Sequence, residues 1–289
     1  MKPTLKIIEC PRDAMQGLKD IIPTQKKIDY INSLLKVGFD TIDFGSFVSP
    51  TKMPQMADTE KVLAGLDLTN TSSKLLAITL NKQGAENAVK FKEIDYLGYP
   101  FSVSETFQLR NTNKSILESI QLVKEMLDLC EANNKNLVVY ISMCFGNPYG
   151  DSYNYEIVYY WINELVKLGV KTISLSDTVG VATNDAISSL FSILINKFPN
   201  IEIGAHFHTR YETGIEKIEA AYNAGCRRFD GAIKGFGGCP MAKDDLVGNL
   251  PTEQLIDYFH SKNIALNINK KLFDLSFEKS GTIFNDIHV

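Results

Sequence analysis

The sequence predicts an α/β fold of the (β/α)8, or TIM, barrel type, completed by additional helices at its C-terminal end. Two observations carry this reading. Eight short runs rich in β-branched residues recur along the chain, and each is followed by a longer segment of helical period. No Pro/Gly/Ser-rich linker or low-complexity segment separates them, so residues 1–289 read as one domain, at a length where an α/β barrel forms a single unit. An open doubly wound sheet also alternates strand and helix, but eight uninterrupted units fit closure better.

Taken in order, strands are predicted at 5–9 (LKIIE), 41–44 (TIDF), 74–79 (KLLAIT), 95–99 (DYLGY), 136–142 (NLVVYIS), 170–175 (VKTISL), 201–206 (IEIGAH) and 227–232 (RRFDGA). Between them, Ile116, Ile120, Val123, Leu127 and Cys130 fall on one helical face by steps of four and three, with polar neighbours. Ile187, Leu190, Phe191 and Leu194 repeat the pattern, and Thr183 or Asn184 is placed to cap the start of that helix. Past residue 251, TEQLIDYFHSKN and KKLFDLSFEK predict two further helices.

Hydrophobic residues make up 44% of the chain and charged ones 22%, ordinary globular usage that fills a substantial core. The formal net charge of -4 is spread without a long run of one sign, which argues against nucleic acid or a membrane as partner and leaves small molecules. Cys10, Cys130, Cys144, Cys226 and Cys239 are odd in number, widely spaced and free of CxxC pairs, so reduced thiols are expected rather than a disulfide framework. No apolar run reaches the length of a membrane span, and MKPTLKIIEC lacks the apolar core of a signal peptide; the expected location is cytoplasmic.

In such a barrel, reactive groups gather at the C-terminal ends of the strands. CPRDAMQ after the first strand brings Arg12, Asp13 and Gln16, DFGSFVSP at the second brings Asp43 and Ser46, and SLSDTVG at the sixth brings Asp177. AHFHT closes the seventh strand, and GFGGCPMAKDDLVGNLPTE follows the eighth. Any one of these carboxylates alone reads as a loop cap or a surface charge; their common location points to a shared mouth.

The chain holds four histidines, and His206 and His208 are separated only by Phe207. Residues i and i+2 of a strand project to the same side, so both imidazoles aim at one point while Phe207 faces the helices. That is half of a metal site or, on the other reading, a buried or solvated pair that meets no ion. Asp13 ends the first strand, beside the eighth and near the seventh in a closed barrel, and Asn249 follows the eighth; both are oxygen donors within reach. Two nitrogens and two oxygens, with room for water or substrate, suit six-coordinate Mg2+ or Mn2+ better than a structural zinc, with an Fe2+ site as the alternative. In GFGGCP, Gly235, Gly237 and Gly238 allow positive φ and Pro240 stiffens the exit, so Cys239 is presented at a bend. It is either a small buried hydrophobe or a thiol tuned by a nearby cation. Arg12 is either a surface ion pair or a fixed positive charge for an oxyanion.

These residues resemble those of the 3-hydroxy-3-methylglutaryl-CoA lyases, within the metal-dependent lyase and Claisen-condensing barrel superfamily. The resemblance runs from about residue 5 to about residue 260 and carries PRDAMQ, SFVSP...PQM, SLSDTVGVAT, AHFH, GFGGCP and GNLPTE in the family's order. It implies metal ligation by Asp13, His206, His208 and Asn249, charge stabilisation by Arg12 and proton delivery by Cys239. A supporting base role falls to Asp13 and loop positioning to Asp177 and Glu253, while Gln16, Asp43 and Ser46 join the residues at or beneath the substrate. The implied reaction is divalent-metal-dependent retro-Claisen cleavage of an acyl-CoA partner, 3-hydroxy-3-methylglutaryl-CoA, to acetyl-CoA and acetoacetate, as used in leucine degradation and ketone-body metabolism, with a homodimer as one assembly compatible with it.

Three departures from the family pattern stand out. Ala14-Met15 replaces the usual Gly-Leu, with one residue missing between Glu9 and Pro11; Asp43 replaces Glu; and TRYE follows HFH where Asp-Thr-Tyr-Gly is usual. They leave the ligand set intact and bear on the acyl group. Three alternatives therefore stand beside the named reaction. One is a lyase on a related 3-hydroxyacyl-CoA. Another is a Claisen-condensing acyltransferase, which usually needs a long C-terminal extension. The last is a metal-binding relative without chemistry, against which Arg12 and Cys239 count.

Overall fold

The computed structural model describes residues 4–238 and 247–284. Its eight parallel strands are β1 (Lys6–Glu9), β2 (Thr41–Ser46), β3 (Lys74–Ile78), β4 (Tyr96–Ser102), β5 (Asn136–Ser142), β6 (Thr172–Asp177), β7 (Glu202–Thr209) and β8 (Arg228–Gly231). Each pairs with its neighbours in chain order, and β8 returns to β1, which closes the ring. The predicted (β/α)8 barrel is the fold observed, and the two C-terminal helices form at Thr252–Ser261 and Lys270–Phe284. A two-residue strand, β9 (Gly248–Asn249), runs antiparallel to the end of β7 with Asn249 opposite His208. No periodicity announces it.

All eight predicted strands form, with β5 at its predicted bounds and others shifted at their ends. β7 runs three residues further than its β-branched pattern, to Thr209, because the ladder to β6 continues through Ser176–His206 and Asp177–Phe207. Neighbouring backbone thus holds polar residues in strand geometry that their own propensity does not signal. Alternation then places Phe207 outward, where its ring lies 5.9 Å from that of Phe145 and 6.1 Å from that of Phe191.

The helices bury the faces their spacing predicts. Ile116–Ala132 starts in a capping box of Ser115 and Glu118 and buries Ile116, Val123 and Cys130, while Ile120 and Leu127 pack at its edge. Asn184–Lys197 is capped by Thr183, whose hydroxyl accepts from the Ala186 N–H at 3.2 Å, and buries Ile187, Leu190, Phe191 and Leu194. Full burial of each such side chain contributes roughly 1.5–3 kcal/mol before the entropy of ordering is set against it. The last helix braces the site from outside: Phe284 stacks on Phe236, just after β8, with ring centroids 4.4 Å apart. No helix among the described residues is long and apolar enough to cross a membrane, and Cys10, Cys130, Cys144 and Cys226 are free and buried.

Candidate active site

A cavity of about 480 Å3 opens at the C-terminal ends of the strands. Arg12, Asp13, Gln16, His206 and His208 line it together with Gly238. A larger cavity of about 740 Å3 is lined by Gly146, Gly180, Lys217 and Val247, and none of the predicted site residues lines it. The chemistry therefore belongs to the smaller one.

Arg12, Asp13 and Gln16 share one short helix, Pro11–Gln16, that begins immediately after Cys10. Proline suits its first turn, where an N–H is unneeded and φ is already helical. The Arg12 Nη1 donates to Asp13 Oδ1 at 2.9 Å and to Gln16 Oε1 at 2.7 Å, and Gln16 Nε2 donates to Asp13 Oδ1 at 2.6 Å. Arg12 Nε lies 3.0 and 3.2 Å from the two oxygens of Asp43, and Nη2 completes the fork on Asp43 Oδ2. The guanidinium is thereby fixed, and Asp43 is its holder. Burial pushes the Asp43 carboxyl up to about 6 although Arg12 opposes the shift. For Asp13 burial also pushes upward, but Arg12 and the two imidazoles outweigh it and hold the carboxyl below its ordinary range.

The two histidines meet Asp13 as their spacing predicts. One ligand atom from each of Asp13, His206 and His208 lies within 4.8 Å of the others. His206 Nε2 is 4.0 Å from Asp13 Oδ2. Asp13 Oδ2 and His208 Nε2 are buried with no hydrogen-bond partner among the described residues, an arrangement that costs free energy unless something else occupies the space between them. A divalent cation fits that description, since both atoms are lone-pair donors. The other ring nitrogens are engaged: His208 Nδ1 is 2.8 Å from the Thr178 carbonyl, and His206 Nδ1 is 3.2 Å from Asp230 Oδ2. Burial holds the His208 pKa below its ordinary value, whereas for His206 the Asp230 and Asp13 carboxylates outweigh burial and raise it.

Asn249 reaches this group from β9: its Nδ2 donates to the Phe236 carbonyl at 2.8 Å, and its side chain lies against Asp13, whose carboxyl it helps to hold down. Asp177 stands behind the cavity wall. Its oxygens accept from the Val181 and Ala182 N–H groups at 2.9 and 3.1 Å and from Lys217 Nζ at 2.6 Å, and Lys217 also donates to the His208 carbonyl at 3.2 Å. Asp177 thus ties the loop after β6 to the end of β7. Glu253 accepts from the Lys234 N–H at 3.0 Å, and Ser46 spends its hydroxyl on the Ile78 carbonyl and the Val48 N–H. Cys239 lies outside the described residues. The loop leading to it has the positive φ expected at Gly235, Gly237 and Gly238. A Cβ on Gly237 would come 2.5 Å from the Asp13 backbone oxygen, so only glycine lets this loop cross the helix that carries Arg12 and Asp13.

Several residues of the site stand outside the motifs legible in the sequence. Asp230 backs His206, and the Tyr140 ring lies edge-on to His206 at 5.5 Å. Lys52 and Arg110 line the cavity, and Glu9 is buried at the end of β1, accepting from the Ile233 N–H and the Thr252 hydroxyl. For Asp230 a signal existed, since strand alternation puts it on the same side as Arg228 and so inside the barrel if either is. For Lys52 and Arg110 none did, because they come from loops whose course only the fold defines. The TRYE departure ends β7 and enters a 3-10 turn at Tyr211–Thr213, where the Thr209 hydroxyl bonds within the turn.

The HMGL-like family model matches residues 5–276. A hydroxymethylglutaryl-CoA lyase of Bacillus subtilis is 32% identical over 258 residues, covering 89% of this chain and 85% of its own. A 3-hydroxy-3-isohexenylglutaryl-CoA/hydroxymethylglutaryl-CoA lyase of Pseudomonas aeruginosa is 33% identical over 261 residues, covering 90% and 85% respectively. Among solved structures, an HMG-CoA lyase from Acinetobacter baumannii in complex with coenzyme A and 3-methylmalate superposes with a TM-score of 0.89 at 29% identity, over 98% of this chain and 92% of that one. The motifs, the closed barrel and these likenesses agree: the chain belongs to the HMGL-like family.

Proposed function

We propose that the chain is a cytoplasmic carbon-carbon lyase, acting as a single catalytic domain, that cleaves 3-hydroxy-3-methylglutaryl-CoA to acetyl-CoA and acetoacetate. Mg2+ or Mn2+ would be held by Asp13, His206, His208 and Asn249. The observation that carries this reading is the pair of buried atoms, Asp13 Oδ2 and His208 Nε2, that have no hydrogen-bond partner among the described residues and gather with His206 beside a fixed guanidinium. When bound, the cation supplies a Lewis acid for the tertiary hydroxyl and carboxylate of the acyl group.

The protein's own residues account for the rest. The substrate hydroxyl gives up its proton to solvent water with Asp13 assisting as base, the C2-C3 bond breaks, and its electron pair passes to the acetyl-CoA fragment as an enolate while the other fragment keeps the new ketone of acetoacetate. Arg12 is placed to hold the enolate oxygen. Of its five N–H donors, Nε and one on Nη2 go to Asp43 and both on Nη1 go to Asp13 and Gln16, which leaves one Nη2–H for substrate. The lowered carboxyl of Asp13 suits a ligand, with only a supporting part as base. Cys239 then protonates the enolate carbon, a role that rests on the GFGGCP resemblance. Lys52 and Arg110 at the cavity wall favour an anionic acyl-CoA.

A second reading is favoured by the rest of that wall. Val48, Met53, Ile78, Leu80 and Phe107 offer an apolar surface to the acyl group, which suits a 3-hydroxyacyl-CoA with a longer alkyl branch. Incubating the Mg2+-loaded protein with 3-hydroxy-3-methylglutaryl-CoA and a panel of branched analogues, with both products quantified by mass spectrometry, separates the two. Cleavage of an analogue alone replaces the named substrate, and no cleavage of any thioester by metal-loaded protein rejects the lyase.

A further inference from the structure

Behind His206 stands a feature the reaction does not explain. Arg228 is wholly buried inside the barrel, and none of its three guanidinium nitrogens has a hydrogen-bond partner among the described residues. A buried guanidinium is costly unless an opposite charge compensates it. The compensating group is Asp230, whose Oδ1 lies 3.9 Å from Arg228 Nε and likewise has no hydrogen-bond partner among those residues. The two residues are i and i+2 on β8, so strand alternation puts both side chains in the interior. Gly204 on the adjacent strand makes room: a Cβ there would come 2.8 Å from Arg228 Cδ and 3.0 Å from its Cγ.

The second oxygen of Asp230 faces the site. Its Oδ2 lies 3.2 Å from His206 Nδ1 and accepts from the Ser174 hydroxyl at 3.3 Å. We infer that Arg228 and Asp230 are a positioning pair for His206: the guanidinium orients the carboxylate, the carboxylate takes the Nδ1 proton in a hydrogen bond, and Nε2 is left as the lone-pair nitrogen turned toward Asp13. A neutral imidazole carries one N–H, and an acceptor at Nδ1 selects which nitrogen bears it. The Tyr140 ring, edge-on at 5.5 Å, restricts rotation of the imidazole. His208 reaches the same orientation by another route, with Nδ1 against the Thr178 backbone carbonyl. One ligand histidine is thus set by a neutral dipole and the other by a charged pair. The inference rests on the metal-site reading above, and general experience with such outer partners is a 10–100-fold loss of metal affinity, roughly, when they are removed.

The test uses two readouts. In metal-free protein with 15N-labelled histidine, at a pH raised until the His206 signals no longer change and the imidazole is neutral, those signals, assigned by their loss in His206→Gln, are expected to show a protonated Nδ1 and an unprotonated Nε2. In calorimetric Mn2+ titrations, Arg228→Met is expected to weaken binding about 10-fold or more and Arg228→Lys to restore it. The double variant Arg228→Met/Asp230→Leu, which leaves no lone charge in the interior, is expected to lose both affinity and the tautomer preference. A proton found on Nε2 in the native protein overturns the inference whatever the variants do. So does a double variant that binds Mn2+ as the native protein does. Native protein that binds no Mn2+ rejects the metal site itself, which the tautomer measurement does not depend on.

Discussion

Arg12 is gripped side-on by Asp43, its Nε 3.0 and 3.2 Å from the two carboxylate oxygens and its Nη2 bonded to one of them. The acidic residue that is one carbon shorter than the family's usual Glu is therefore the residue that aims the cation at the cavity. Asp43→Asn is expected to lower kcat at least ~10-fold with KM little changed, because Arg12 acts on charge that develops only in the transition state. Asp43 also titrates near 6 in the fold, so activity should fall below about pH 6 as it takes a proton and loosens Arg12, an acid limb that Asp43→Asn removes. Its stability contribution has the opposite trend: the folded value is raised, so that contribution is whole below the ordinary 3.8 and is lost as pH rises through about 6. A pH-rate profile of both proteins checks the first part; an acid limb unchanged in the variant would assign it elsewhere.

Metal dependence has a direct thermal signature. A ligand that binds only the folded state raises Tm with its concentration, by about 2.7 kcal/mol of stabilisation at 100 times Kd. Native protein should gain Tm on addition of Mn2+ and lose the gain with a chelator, while His208→Ala should show no Mn2+ shift and no activity. Full activity after exhaustive chelation would dismiss the site.

Cys239→Ser should retain the fold and substrate binding but lower turnover at least ~100-fold, the low end of what a placed acid-base group contributes. Cys130 is the control. It is buried on the helix Ile116–Ala132, so Cys130→Ser should cost stability and leave turnover per folded molecule unchanged. Normal turnover in Cys239→Ser would make that thiol structural.

Glu9 links the start of the barrel to its end. Burial pushes its carboxyl up to about 8 despite hydrogen bonds from the Thr252 hydroxyl at 2.6 Å and the Ile233 N–H at 2.9 Å. Because the folded value is raised, the stability it contributes is whole below the ordinary 4.5 and is lost as pH rises through about 8. Glu9→Gln keeps an acceptor for Ile233 and a hydrogen-bonding group for Thr252 without the titration. The drop in Tm between about pH 6 and about pH 9 should therefore shrink by at least ~4 °C in the variant, which scanning calorimetry reads directly. An equal drop in both proteins would show that Glu9 is not what limits alkaline stability.

The sequence by itself determined the local elements and the inventory of reactive groups. Eight strands, the stripe from Ile116 to Cys130 and the pairing of His206 with His208 all follow from periods of two and 3.6, which depend only on backbone geometry. Motif order is legible in the chain as well, and it groups Arg12, Asp13 and Asn249 with the histidines. Tertiary structure decided everything that depends on what the closed ring brings together. It chose Thr183 over Asn184 as the cap, extended β7 through His208 by pairing it with β6 and β9, and set Asp43 against Arg12. It also put Arg228 and Asp230 inside the barrel behind His206. Apart from the cap, no one-dimensional pattern encodes these contacts, because they join segments tens of residues apart in the chain, and their energies depend on burial that exists only once the barrel is closed.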